Sequence, residues 1–231
     1  MANILKKAAA GLLEKMFDSA RVTAVRAWEP ATLYEVDVHL PFADMEKWDT
    51  VRRVKCKVGL LEYRDYTPAV WDAGTRVCTL YIEAGHEGTG SRWVKQLKPG
   101  DEILLGAVHA AQLPARPGRV LCLGDGSALG HFMALRQLAD REKFPLETAI
   151  LLHDGYRIPE PLLRNHPEID WLADPGNHGW EALETWCLAK DLQAYTSVYI
   201  AGYIPMVTGL RKKLKTVPGM QARVFAHGFW S

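Results

Sequence analysis

No stretch of this chain approaches the ~20 consecutive apolar residues that span a bilayer, so a membrane-spanning helix is not expected. Charge of neither sign prevails: 28 Lys and Arg stand against 27 Asp and Glu, a formal net charge of +1. Global attraction to nucleic acid or to an acidic membrane is therefore excluded, and any electrostatic recognition must come from local clusters. Cysteine is scarce. Cys56, Cys78, Cys122 and Cys187 are far apart, show no CxxC or Cys/His ligand spacing, and three of them sit in apolar strand-like runs. They read as buried free thiols of a reducing compartment, which points to a cytoplasmic protein and against a metal site. The eight histidines form no HExxH pattern. "LGDGSALG" matches neither the G-x-S-x-G elbow of a hydrolase nor a G-x-G-x-x-G fingerprint. No nucleophile–base pair is expected, and internal repeats and low-complexity segments are lacking too.

What is present falls into two patterns. The first residues, "MANILKKAAAGLLEKMFDSA", place lysines before a short apolar run, Ala8–Leu13, that Glu14 and Lys15 interrupt. They read as an amphipathic helix over residues 1–19 rather than a signal peptide. From Arg21 to Val108, short alternating segments ("TLYEVDVHL", "RRVKCKV", "RVCTLYI", "DEILLGAV") are separated by Gly, Pro and Asp signals. This pattern predicts a small antiparallel β-barrel or sandwich over residues 20–112. After "LPARPG" (113–118), which reads as a linker, strands alternate with helices: "RVLCLGD", "ALGHFMALRQLAD", "ETAILLHD", "WEALETWCLA", "SVYIAGY", "MVTGLRKKLK", "ARVFAHG". That alternation predicts a parallel-sheet α/β domain over residues 119–231.

The candidate site lies in "EYRDYTPAVWD" (62–72). On a strand, Arg64 and Tyr66 share one face while Asp65 and Thr67 share the other. The next strand runs into "HEGTGSRWVKQLKPGD", where a Gly/Thr/Ser-rich turn opens a helix with free N–H groups, a place suited to a pyrophosphate. Taken alone, each motif has a plain alternative: an exposed cross-strand pair for the first, an ordinary N-cap for the second. Together they supply a cation for a pyrophosphate (Arg64), a ring to stack on a flat heterocycle (Tyr66) and a hydroxyl for a ring nitrogen (Thr67). That combination describes a flavin dinucleotide better than a metal or a nucleic acid.

At these residues the chain resembles the siderophore-interacting proteins, flavin-dependent ferric-siderophore reductases of the ferredoxin–NADP reductase-like superfamily. "YRDYTPAVWD" is similar to the family's R-x-Y-T-P motif, and "GTGSRWVKQLKPGD" to its G-P-A-S-R-W turn with the trailing P-G-D. "LGDGSALGHF" and "VYIAGYIPMVTGLRKKL" extend the likeness over nearly the whole chain. The resemblance implies FAD as cofactor, bound by Arg64, Tyr66 and Thr67 and by the pyrophosphate turn Gly88, Thr89, Gly90 and Ser91. Tyr81 and Ile82 of the preceding strand, Ser127 and the C-terminal Trp230 complete the implied set. His86 stands near a histidine of the family, at a different local spacing. The implied donors are NADH, NADPH or reduced ferredoxin, the implied substrate a ferric siderophore, and the implied release product Fe(II). Two departures fall on the partner side: Gly126 stands where relatives carry Glu in G-D-E-[ST], and Tyr203 where many carry Glu in A-G-E.

Flavin chemistry needs no protein acid or base, which accords with the missing nucleophile–base pair. Ferric siderophores are often anionic, so Arg53, Lys55 and Lys57 are candidate substrate-binding residues, with a solvated strand face as the alternative; "LRKKLK" (210–215) is a second basic cluster. An electron-carrying flavoprotein that docks a ferredoxin, without efficient NAD(P)H oxidation, and a non-catalytic binding module are the other readings. Phe229 and Trp230 are expected at the carboxyl end of a terminal strand, with Trp230 packing on or beside the isoalloxazine or, alternatively, plugging the core.

Overall fold

The computed structural model describes residues 17–111, 118–153, 155–174 and 179–231. Contacts divide the chain into two compact units, residues 1–112 and 113–231. The expected N-terminal helix lies outside the described residues except for its last three, and of these Asp18 and Ser19 already belong to the first strand. The expected linker is likewise outside them apart from Gly118.

The first unit is one antiparallel sheet of seven strands: β1 (Asp18–Ala27), β2 (Leu33–His39), β3 (Arg52–Gly59), β4 (Glu62–Tyr66), β5 (Pro68–Asp72), β6 (Val77–Glu83) and β7 (Glu102–Ala110). They are ordered β4-β3-β7-β1-β2-β6-β5. The two edge strands, β4 and β5, are therefore consecutive in sequence and separated only by Thr67. β4 touches β6 and β3 touches β5, so the sheet curls round until its ends meet, as a barrel does. Pro68 opens β5, the position at an edge where its missing N–H is tolerated.

Alternation builds the interior. In β2 and β3 the residues Val36, Val38, Val54 and Cys56 are fully buried while their neighbours face outward. Helix α1 (Thr89–Val94) packs against β3, β4 and β6.

The second unit is a five-stranded, all-parallel sheet ordered β10-β9-β8-β11-β12. Its strands are β8 (Arg119–Asp125), β9 (Leu146–His153), β10 (Ile169–Asp174), β11 (Tyr195–Tyr203) and β12 (Arg223–Trp230). The crossover helices are α2 (Leu129–Glu142), α3 (Glu160–Asn165), α4 (Glu181–Leu188) and α5 (Ile204–Leu214). One face of the sheet packs Leu121, Leu123, Val198 and Ile200 against Leu183 of α4 and Met206, Val207 and Leu210 of α5. On the other, Tyr199 stacks on Phe225 at 5.1 Å and meets His131 of α2 at 5.3 Å. β10 and α3 were not expected from the sequence, so the sheet has one strand more than the pattern predicted.

Strand order reverses beside β8: β9 and β10 extend to one side, β11 and β12 to the other. In open α/β sheets the crevice at such a reversal, outside the carboxyl ends of the strands, is where ligands bind.

Candidate functional site

The register of β3 and β4 decides which residues share a face. Cys56 pairs with Arg64 and Val54 with Tyr66, while Lys55 pairs with Asp65 and Lys57 with Tyr63. Directly opposed residues project from the same side of a sheet, so Arg64 and Tyr66 lie on the side of buried Val54 and Cys56.

Helix α1 meets that side at Gly90. A methyl group there would sit 2.7 Å from Tyr66 Oη and 3.4 Å from Arg64 Cγ, so only glycine lets the helix come this close. Three residues on, Trp93 lies nearly parallel to the Tyr66 ring, 5.9 Å between centroids at 11°. Burial pushes the Tyr66 phenol well above its ordinary range, with Cys56 adding to the rise and Arg64 opposing it, so the phenol stays neutral. Arg64 is exposed and donates to the Tyr63 carbonyl at 2.8 Å; it meets no carboxylate among the described residues.

The start of α1 is built without a capping side chain. Gly88 is the N-cap, and the first helical bond runs from Arg92 N–H to Gly88 O at 3.0 Å. The amides of Thr89, Gly90 and Ser91 thus precede the helical ladder. The Ser91 hydroxyl is buried with no hydrogen-bond partner. An unpaired buried hydroxyl costs free energy comparable to a lost hydrogen bond. Thr89 Oγ1 accepts from Arg92 at 3.3 Å.

The sequence-derived residues are brought together unequally. Arg64, Tyr66, Gly90 and Ser91 gather where β4 meets α1, with Gly88 and Thr89 in the same turn and Thr67 at the β4–β5 junction. Tyr81 and Ile82 are neighbours on β6 and so face opposite sides: Tyr81 pairs with Glu35 and Ile82 with Tyr34. His86 is exposed in the loop before the turn. Arg53, Lys55 and Lys57 occupy the opposite face of β3 from the residues that pair with Arg64 and Tyr66, and Lys55 is held by Asp65 at 2.8 Å. That basic face is separate from the Arg64–Tyr66 cluster. The sequence motif alone assigns Trp93 no role; its position against Tyr66 follows from the docking of the helix.

The second unit gathers a different group at the carboxyl edge of its sheet. Asp125, at the end of β8, accepts from Ser127 N at 3.0 Å, Ser127 Oγ at 2.5 Å and Tyr203 N at 2.7 Å. Gly202 has φ +126°, and a side chain on it would overlap the Asp125 carboxylate, so glycine is what admits the bond from Tyr203. Burial pushes the Asp125 carboxyl above its ordinary 3.8, against the pull of the bonds from Ser127 and Tyr203 and of nearby His153. Ser127 Oγ in turn accepts from Trp230 Nε1 at 3.2 Å, and the Trp230 ring rests on that of Tyr203 at 4.4 Å. The ends of β8, β11 and β12 are thus tied by one polar and aromatic chain. Gly126, the first departure, is buried and has no positive φ. No group of His, Cys, Asp and Glu among the described residues is arranged to hold a metal ion, and none of their helices is long and apolar enough to cross a membrane.

No family model matches the chain, and no curated protein does. Solved structures do. The siderophore-interacting protein SipS of Aeromonas hydrophila superposes with a TM-score of 0.70 at 15% identity, over 93% of this chain and 91% of that one. A ferredoxin NADP+ reductase of Neisseria gonorrhoeae, solved with FAD and NADP bound, gives 0.64 at 17% identity over 92% and 98%. An intact type IV self-sufficient cytochrome P450 monooxygenase gives 0.72 at 15% identity over 93% of this chain, which spans only 28% of that one. The fold is the ferredoxin reductase-like one, an antiparallel barrel followed by a parallel α/β unit.

Proposed function

We propose that the chain is an FAD-dependent oxidoreductase that passes electrons from NAD(P)H or a ferredoxin-type donor to ferric siderophores, releasing Fe(II). The observation that carries the cofactor assignment is the convergence of Arg64 and Tyr66 on Gly90. A cation without a carboxylate partner, a neutral aromatic ring, a glycine cradle and an orphaned buried hydroxyl at Ser91 fit a flavin dinucleotide. Arg64 and the amides of Gly88–Ser91 would hold the pyrophosphate, with Ser91 Oγ finding there the acceptor it lacks. Tyr66 would offer its ring to the isoalloxazine, and the Thr67 hydroxyl, which makes no bond among the described residues, would donate to it. Bound FAD supplies exchange between a two-electron donor and a one-electron acceptor. Iron(III) reduced in this way is held less tightly by hard oxygen ligands.

The likeness to SipS, over nearly all of both chains, supports ferric siderophore as the substrate. A second reading has its own support. Tyr203 and Trp230 stand at the carboxyl ends of β11 and β12, next to the reversal of strand order, where a dinucleotide would approach. That placement favours a protein donor over a nicotinamide one. Anaerobic mixing of the FAD-loaded protein with NADH, NADPH and reduced ferredoxin in turn, then with a panel of ferric siderophores, separates the two. Flavin bleaching by a donor and its return with each ferric chelate is the expected result; a protein that takes up no FAD overturns the assignment.

A further inference from the structure

We infer that Trp93 is a positioning residue for the flavin: it fixes the plane of the Tyr66 ring on which the isoalloxazine is to lie. The inference rests on the FAD reading above and goes beyond it. Gly90 and Trp93 are three apart in α1 and so lie on one face of the helix. Together they form a slot, with Gly90 closing on Tyr66 Oη and Trp93 lying along the ring. Trp93 lies along the Tyr66 ring, and the absence of a side chain at Gly90 leaves room for the Tyr66 hydroxyl beside the helix. Trp93 thus overlaps part of one ring face, and the isoalloxazine would lie against the other. Parallel, offset rings at this separation attract one another, so the orientation is set before any ligand arrives.

The prediction divides the ligand in two. Arg64 and the Ser91 turn act on the pyrophosphate, whereas Trp93 acts through Tyr66 on the isoalloxazine alone. The test is binding of FAD and of ADP, which carries the pyrophosphate but no flavin ring, to wild type, Trp93→Leu, Trp93→Phe and Arg64→Ala. Melting of the FAD-free proteins is recorded in parallel. Trp93→Leu is expected to weaken FAD about tenfold, to leave ADP unchanged, and to raise the fluorescence of saturating bound flavin as the Tyr66 ring leaves its plane. Trp93→Phe, which keeps a flat ring in the slot, is expected to restore wild-type behaviour. Arg64→Ala is expected to weaken both ligands.

Three results overturn the inference. Equal loss of FAD and ADP in Trp93→Leu would mean that Trp93 only holds the helix in place. Wild-type FAD affinity and fluorescence in Trp93→Leu would mean that it does nothing for the flavin. A wild-type protein that binds no FAD removes the reading on which the inference stands, and is recognised before any variant is made.

Discussion

Trp230 donates its indole N–H to Ser127 Oγ across 3.2 Å, so the last strand of the parallel sheet is fastened to the loop that follows the first. Ser127 can accept this bond because its own proton goes to Asp125, 2.5 Å away. Replacing Ser127 by Ala removes both of these side-chain bonds. We expect a loss of about 1–3 kcal/mol, read from urea unfolding. Trp230→Phe keeps the contact with Tyr203 and drops only the donor, and should cost about 1 kcal/mol or less.

Gly202→Ala should be among the most damaging small substitutions in the second unit. The added methyl meets the Asp125 carboxylate, and φ +126° is foreign to an L side chain. Strain and overpacking together are expected to cost about 2–5 kcal/mol, seen as a lowered denaturation midpoint.

At Gly90 the expected effect is on the ligand as well as on the fold. Gly90→Ala places a methyl 2.7 Å from Tyr66 Oη, the end of a side chain that can swing away, with no unfavourable φ to add. Stability should fall by about 1–3 kcal/mol. FAD affinity, measured by flavin fluorescence titration, should fall about tenfold or more because Arg64 and Tyr66 are displaced together.

Asp125 imposes a pH dependence of definite sign. Its carboxyl is raised in the folded protein by burial, so between the ordinary 3.8 and the raised value the folded state holds a proton that the unfolded state has lost. Stability contributed by this group is greatest below that interval and falls as pH rises through it. In Asp125→Asn the effect vanishes. The difference in unfolding free energy, wild type minus variant, should therefore be most favourable to wild type at the acid end of a series from about pH 4 to 8. A difference that grows toward alkaline pH would show that the bonds from Ser127 and Tyr203 outweigh burial.

Much of this was legible in the sequence for identifiable reasons. Strands β8, β9 and β11 are buried on both faces, and such strands read as continuous apolar runs. β10 escaped notice because "IDWLAD" lies at the sheet edge, short and half-buried, with Asp170 and Asp174 diluting its apolar content. Alternation alone placed Arg64 beside Tyr66. It could not say which face of β3 joins them, because that depends on the β3–β4 register, set by the tight turn at Leu61 with its φ of 141°. Hence the sequence could name Arg53, Lys55 and Lys57 as candidates for substrate binding but not place them on the face of β3 opposite Val54 and Cys56. Trp93 and the Asp125 network depend on contacts between elements distant along the chain, which no local pattern encodes.

The four cysteines set a boundary on the protein's own vulnerability. All are free and buried. Burial pushes each thiol upward, Cys187 to about 12 and the other three further, so at neutral pH essentially none is a thiolate. Peroxide and alkylating agents attack the thiolate. A chain built this way offers oxidants and electrophiles no thiolate to react with. The folded protein should accordingly be silent toward maleimide, and should yield four reactive thiols only when unfolded.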